Sequence, residues 1–395
     1  MPLALTGVAL LALGLLAVSS GLLPWAALGA LAERVGPILA FVAAITVVTE
    51  LLNASGLFEW IARQFRRWGR GRAWVLWILV TALSLAATIF LSLDTTAVLL
   101  TPIVVILARR CGLAPLPFAL TAVWLANTGS LLLPVSNLTN LLAMGSLGGA
   151  SPGAFALRMA LPAAWCALVP AVAVALLFRK ELARRYAAVR AAPAFPLSVG
   201  ADAPPPADTL LLRIGGAVLV LLLPALVSGV PVWIPSLVAA AVLVAAFGLR
   251  RPSALAWSLV PWQLILFASG LFVVMEGLQD LGGRALAAGL LGSGDGPLDL
   301  VRVAAAGAVA ANVVNNLPAY LALEHAAGGS ARLAALLVGV NAGPLITPWA
   351  SLATLIWHEQ LRRLGVRISW WGYAAAGTVL VPVMIIPAAL LAALA

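Results

Sequence analysis

The sequence predicts an all-α, polytopic membrane protein made of two inverted-topology repeats, each with a re-entrant hairpin and a broken transmembrane helix. Three observations carry this reading. Of 395 residues, 63% are hydrophobic and only 9% charged, too little charge to cover a soluble domain of this length. Residue patterns in the first half recur in the second at fixed offsets, in the same order. Two otherwise apolar spans are interrupted by Gly and then Pro, which stop a helical hydrogen-bond ladder.

The elements follow in order. Apolar runs long enough for the ~20 helical residues that cross a bilayer lie at about 3–19, 37–62, 73–92, 96–110, 117–147 and 154–178. A shorter run at about 22–34 ends on Glu33 and Arg34. The run from Pro2 to Val18 has no basic n-region or persuasive cleavage site, so it reads as a retained first helix. Residues 181–209 are polar and proline-rich and form the expected cytoplasmic linker. Spans resume at about 210–229, 233–249, 262–281, 301–325, 332–357 and 369–394. The first repeat is therefore expected over 1–180, with its hairpin at about 73–110 and its broken helix at about 117–147. The second covers 210–395, with the hairpin at about 301–325 and the broken helix at about 332–357.

The repeat is visible residue by residue. Phe41, Val47, Val48, Glu50, Leu52 and Gly56 recur 226 positions later as Phe267, Val273, Val274, Glu276, Leu278 and Gly282. Asn127, Gly129, Pro134, Leu138 and Leu141 recur 214 positions later as Asn341, Gly343, Pro348, Leu352 and Leu355. Between them lie Asp94-Thr95-Thr96 in one half and Asn315-Asn316-Leu317-Pro318 in the other. Charge sets the orientation. Basic residues at 63–72, 109–110, 179–213, 250–251 and 362–367 account for 18 of 23, and all face the cytoplasm if 73–110 enters and leaves on that side as a hairpin tipped near Asp94. The second hairpin then enters from the opposite face, and the repeats are inverted. Inverted repeats with non-helical breaks at the midplane are the architecture of secondary transporters.

The same charge distribution argues against nucleic acid as a partner, because the net charge of +10 resides in short loops between spans. Cys111 and Cys166 have no metal-ligand spacing, and no cofactor is implied. The stretch 91–140 places Asp94 and a dense set of Asn, Ser and Thr at membrane depth, where polar groups need a partner, a cavity or a ligand. Glu50 and Glu276 are the proton-coupling candidates beside Asp94; the structural alternative for each is a bond to backbone freed at a helix break. His325 and His358 lie at span ends and read as interfacial, as do Trp68, Trp233, Trp262, Trp370 and Trp371. Neither His reaches membrane depth to serve a nucleophile and no facing acid completes a dyad with Asp94, so an enzyme is not expected.

SGLFEW at 55–60, DTTAVLLTPIVV at 94–105, SLLLPVSNLTNLL at 130–142, NNLPAYL at 315–321 and GPLITPWASLATLIWHE at 343–359 resemble the ArsB-type arsenite and antimonite efflux permeases. These belong to the ion-transporter superfamily that also holds dicarboxylate and sodium/proton carriers. The resemblance covers both halves. It implies efflux of a small inorganic oxyacid or anion by alternating access, coupled to H+ or Na+, from the cell (plasma or inner) membrane. It also brings a homodimer and an ATPase partner as expectations. Asp94, Thr95 and Thr96 match the acidic hairpin tip, and Asn315 and Asn316 its counterpart. Asn127, Thr128, Ser130, Ser136, Asn137 and Asn140, with Asn341, Thr347, Ser351 and Thr354, match the polar lining of the broken helices. The chain departs from the pattern at Leu93, Asn127, Asn341 and Leu345, where the resemblance leads to expect an amide, two acids and a base. Dicarboxylate or citrate symport and sodium/proton antiport are the alternatives. The first favours two Ser-Asn-Thr loops and a basic group at depth, which this sequence does not supply.

Overall fold

The computed structural model describes residues 2–21, 23–147, 151–186 and 208–394. These residues are helical, with no strand among them. Six helices among the described residues are long and apolar enough to span a bilayer, and their outward faces expose residues such as Leu157, Leu176 and Leu249, each at least two-thirds accessible. A polytopic membrane protein is what such a lipid-ready surface requires.

The first repeat contains α1 (Pro2–Ser19), α2 (Trp25–Ala54), α3 (Leu57–Trp68), α4 (Ala73–Phe90), α5 (Leu93–Thr95), α6 (Thr101–Arg110), α7 (Leu116–Thr128), α8 (Leu138–Ala143) and α9 (Pro152–Leu177). A short α10 (Arg179–Leu182) follows, and the apolar α11 (Thr209–Ala225), counted above within the second repeat, has no mate in the first. The second repeat continues with α12 (Trp233–Arg250), α13 (Trp262–Leu278), α14 (Arg284–Leu291), α15 (Pro297–Val314), α16 (Asn316–Ala327), α17 (Ser330–Ala342), α18 (Leu352–Arg363) and α19 (Trp370–Leu391). The pairing is α1 with α12, α2 with α13, α3 with α14, α4 with α15, α5–α6 with α16, and α7, α8 and α9 with α17, α18 and α19. The apolar α11, shorter than the six candidate spans, stands between the two mated sets of helices.

The halves are interlocked. α1 packs along α13 and its mate α12 along α2, so each repeat's first helix seals the other's second. Small residues permit this close approach: a Cβ on Gly7 would strike the Phe267 backbone, and one on Gly270 the Gly7 carbonyl. α4 packs on α7 as α15 does on α17, and α9 meets α19 across the pseudo-symmetry. Gly377 lets α19 lie directly on the backbone of Leu345 in the second break.

Two expected boundaries change. The run at 22–34 is the first part of α2, whose 30 residues extend ~45 Å and overhang the bilayer. The run at 37–62 is two helices rather than one span. Ser55 and the left-handed Gly56 (φ +81°) end α2, and α3 begins at once with Glu59 in its first turn and Arg66 and Arg67 in its last. Continuous hydrophobicity hid this amphipathic surface helix. Most of the 181–209 linker lies outside the described residues.

Several basic residues outside the cytoplasmic set are tied up locally. Arg302 donates to the Leu290 and Gly289 carbonyls at 2.9 and 2.8 Å. Buried Arg332 donates to Ala327 O at 2.7 Å and to the carbonyls of Leu291, Gly292 and Gly294. These guanidiniums close the C-terminal ends of α14 and α16, which explains arginine on the face where the charge rule disfavours it.

Candidate functional site

Both hairpins turn on a single residue held in backbone space that L side chains avoid. Ser92 has φ +147° and Asn315 φ +94°, and they are two of only three non-glycine residues with positive φ among those described. Such strain persists where the surroundings over-determine it. At the first tip the Ser92 hydroxyl accepts from Thr95 N at 3.2 Å and donates to Thr95 Oγ1 at 3.1 Å. The chain then makes one π turn over Thr96–Leu100 before α6, a distortion that often accompanies functional sites. The second tip runs straight into α16.

Beside the first tip is a cavity of about 440 Å³. Its polar lining comes from Thr46, Thr49 and Glu50 on α2, Ser92, Asp94 and Thr95 at the tip, Ser136 and Asn137 in the first break, and Ser258 and Gln263 before and in α13. The last two place its mouth toward the cytoplasmic end, near Arg250 and Arg251. Among the described residues Glu50 and Asp94 are the only ionisable ones in its wall, and neither Lys nor Arg lines it. Asp94 Oδ1 is shut off from solvent and meets no hydrogen-bond donor. A buried polar atom without a partner costs ~1–3 kcal/mol, so this oxygen is poised for a proton, a cation or a hydroxyl-bearing solute.

The two breaks share one construction. Leu133 and Asn137 are extended on either side of a 3-10 turn that begins at Pro134; Thr347 and Ser351, 214 positions on, are extended around the turn at Pro348. Between the breaks runs a cross-repeat amide network. Asn341 Oδ1 accepts from Asn137 Nδ2 at 2.8 Å and Thr139 Oγ1 at 3.0 Å, and its Nδ2 donates to Asn140 Oδ1 at 2.8 Å. The mirrored contact is Asn127 Nδ2 to Thr354 Oγ1 at 3.3 Å. Asn140 and Thr354 are repeat mates, so each half's broken helix reaches into the other's.

Of the residues anticipated from sequence, Glu50, Asp94, Thr95, Ser136 and Asn137 share the cavity wall. The others stand apart from it. Thr96 pairs with Thr88 at 2.9 Å, Thr128 donates to Trp124 O, Ser130 to Asn127 O, and Asn140 to Ser130 O and Leu133 O. Asn127, Asn341 and Thr354 are spent in the amide network, and Ser351 Oγ is buried without a partner. At the second tip Asn315 Nδ2 donates to Trp349 O at 2.9 Å and Asn316 Oδ1 accepts from Leu317 N at 2.9 Å. Glu276 lies within electrostatic reach of Arg34, away from the cavity. Cys111 and Cys166 are buried free thiols that line no described cavity.

Sequence reasoning passed over Asn312. Its Nδ2 donates to Gly343 O at 2.8 Å, and its Oδ1 accepts from Thr347 N at 2.9 Å and Thr347 Oγ1 at 3.2 Å. It thereby sews the second hairpin to the second break. Its position three residues ahead of the Asn315-Asn316 pair, almost one helical turn, was the available signal. Ser92 was also missed, although it directly precedes the Leu-Asp-Thr-Thr tip.

Comparison with known proteins agrees with this architecture. Residues 1–354 match the family described as "Citrate transporter". An arsenical pump membrane protein of Escherichia coli is 31% identical over 381 residues, covering 88% of this chain and 84% of that protein. A putative arsenical pump membrane protein of Bacillus subtilis is 23% identical over 401 residues, 94% and 90% of the two chains. In structure, the YdaH transporter of Alcanivorax borkumensis superposes with a TM-score of 0.56 at 15% identity, covering 99% of this chain and 97% of that one, a likeness of fold. These relatives are membrane transporters rather than enzymes. With the inverted repeats, hairpins and broken helices in place, the chain belongs to the citrate-transporter family and, within its reach, to the arsenical pump membrane proteins.

Proposed function

We propose that this protein exports trivalent arsenic or antimony oxyacids across the cell membrane by alternating access, with the first hairpin tip as the binding site and protons as the coupling ion. The observation that carries the reading is the composition of the cavity: two carboxylates, hydroxyls and two amides, with no cation among the described residues. Arsenous acid is largely an uncharged polyhydroxy solute at neutral pH, and such walls offer it both donors and acceptors. A citrate or dicarboxylate would bring like charge against Glu50 and Asp94, a juxtaposition that costs several kcal/mol. The relatives named as arsenical pumps support the same substrate class.

In this mechanism Asp94 is the group that exchanges a proton and contacts the solute, and Ser92, Thr95, Ser136 and Asn137 orient it. Glu50, lower in the same cavity, passes protons toward the cytoplasm, and Glu276 is the corresponding relay candidate in the second repeat. Release to a dilute exterior calls for a weak site, and hydroxyls and amides supply one without the tight capture that thiolates would give.

The test is transport by purified protein in liposomes, with arsenite, antimonite, citrate and Na+/H+ exchange measured in parallel under an imposed pH gradient. Saturable arsenite movement that citrate does not compete with is expected, lost in Asp94→Asn. Citrate movement without arsenite movement would overturn the assignment.

A further inference from the structure

The fold gathers basic stretches that lie far apart in the chain at one corner of the molecule. One runs from Arg63 in α3 to Arg72 in the turn before α4; another begins at Arg179, directly after α9, and reaches Arg185. Backbone hooks the two together. Tyr186 N donates to Gly71 O at 2.9 Å and Ala73 N to Arg184 O at 3.1 Å, so Arg72 and Arg185 face each other across a single antiparallel bridge. The Tyr186 hydroxyl donates to Arg66 O at 3.2 Å and takes the space that a Cβ on Gly69 would need. Between Gly69 and Gly71, Arg70 is the third non-glycine residue with positive φ, at +49°. α3 also packs on α6, which brings Arg66 within electrostatic reach of Cys111 just past the end of that helix.

Like charges gathered in this way repel one another, and the protein does not neutralise them. Arg63, Arg67, Arg70, Arg72, Arg184 and Arg185 are all exposed, and none forms an ion pair with an acid among the described residues. Other exposed arginines are treated differently. Arg250, Arg362 and Arg363 each hold a carboxylate oxygen at 2.6 to 2.9 Å. A fold-built group of unpaired guanidiniums is suited to phosphate, whose oxygens their forked donors match.

The surroundings say where that phosphate resides. α9 ends on Leu176 and Leu177, 67% and 63% exposed, just ahead of Arg179. Trp60 and Trp68 on α3 and Trp74 at the start of α4 are also exposed. On α3, Trp60, Arg63 and Arg67 fall at steps of three and four, on the face opposite buried Phe58, Ala62 and Phe65. Tryptophan beside arginine on an amphipathic helix marks the level where acyl chains meet headgroups. The cavity beside the first hairpin tip does not reach this corner.

We propose that the corner is a binding site for the headgroup phosphates of anionic phospholipids, with guanidiniums supplied jointly by the α3–α4 turn and by Arg184 and Arg185. The bound lipid offsets the mutual repulsion and holds the turn from which the first hairpin starts. Basic clusters at the end of a membrane span recognise anionic headgroups in this way. The proposal is independent of which solute the protein moves.

The test is lipid retention by the full chain purified in neutral detergent and offered phosphatidylglycerol and phosphatidylcholine in equal amounts, with bound lipid counted by mass spectrometry. Wild type should retain several-fold more phosphatidylglycerol, and the preference should shrink as salt is raised. Arg67→Gln with Arg70→Gln should lower the preference several-fold, and so should Arg184→Gln with Arg185→Gln, because both stretches contribute. Arg362→Gln with Arg363→Gln removes as much charge from arginines that already have a carboxylate and should leave the preference unchanged. Equal retention of the two lipids by wild type overturns the proposal whether or not any variant folds. A loss with the 362 and 363 changes as large as with the others also overturns it, since net charge would then suffice. If inorganic polyphosphate binds the lipid-free protein more tightly than phosphatidylglycerol does, the site belongs to a soluble polyanion and the lipid assignment falls.

Discussion

The two hairpin tips are built from matching parts and treat their polar groups in opposite ways. At the second, the amides of Asn312 and Asn315 are engaged and Asn316 Oδ1 accepts from Leu317 N. Asn312 binds Gly343 and Thr347, Asn315 binds the Trp349 carbonyl, and the Trp349 indole returns to Asn312 O at 2.8 Å. At the first, the serine turn caps its own helix, but Asp94 Oδ1 is left without a donor beside a cavity. Satisfied polar groups rigidify a fold, whereas an unsatisfied one is a demand that a ligand can meet. The repeat thus sets a tip whose amides are bonded against one whose acid lies unpartnered beside a cavity. The difference follows from the side chains, because the backbone turns correspond.

The contrast can be broken most severely at Asn312. Asn312→Ala strands Thr347 N and removes the bridge to Gly343 O, so a stability loss of ~2–3 kcal/mol is expected, read as a lower melting temperature in detergent. An unchanged melting temperature would refute the anchoring role of this tip. Next come the repeat mates Asn341 and Asn127. Asn341→Ala breaks three cross-repeat bonds and should destabilise by ~1–3 kcal/mol, whereas Asn127→Ala loses one long cross-repeat contact to Thr354 and a bond to Val123 O within its own helix and should cost visibly less in the same melt. Equal losses would mean that the network is more symmetric than its distances. A smaller effect is expected for Ser92→Gly. Glycine accepts the positive φ freely, which offsets the lost cap, so stability should move by less than ~1 kcal/mol. Smallest of all is Ser351→Ala. Its hydroxyl has no partner, so stability should hold or rise slightly, and a transport defect in this variant would identify Ser351 as a solute contact.

Much of the architecture was legible in the sequence because it is written in features that need no partner. Gly and Pro in apolar spans locate both breaks, the basic loops orient the chain, and the paired offsets expose the repeat. Asp94 could be singled out because acids are rare at membrane depth. The division of labour between the tips was not legible. Whether an amide anchors a fold or faces a cavity depends on a residue far away in the chain, as Asn137 and Asn341 show by meeting across 204 positions. The ion pair of Arg34 with Glu324 escaped for a related reason. At the end of an apolar run Glu324 reads as an interfacial acid, and only the fold brings Arg34 to it across 290 positions.

The most direct test of this account compares the tips in one assay. Arsenite accumulation would be measured in cells lacking their own efflux system that express wild type, Asp94→Asn or Asn315→Gly at matched membrane levels. Glycine at 315 keeps the turn, because it accepts the φ of +94° that asparagine holds there. The account predicts low accumulation with wild type, accumulation as high as in empty cells with Asp94→Asn, and efflux largely retained with Asn315→Gly. Retained efflux in Asp94→Asn together with loss in Asn315→Gly would contradict it and exchange the roles of the two tips.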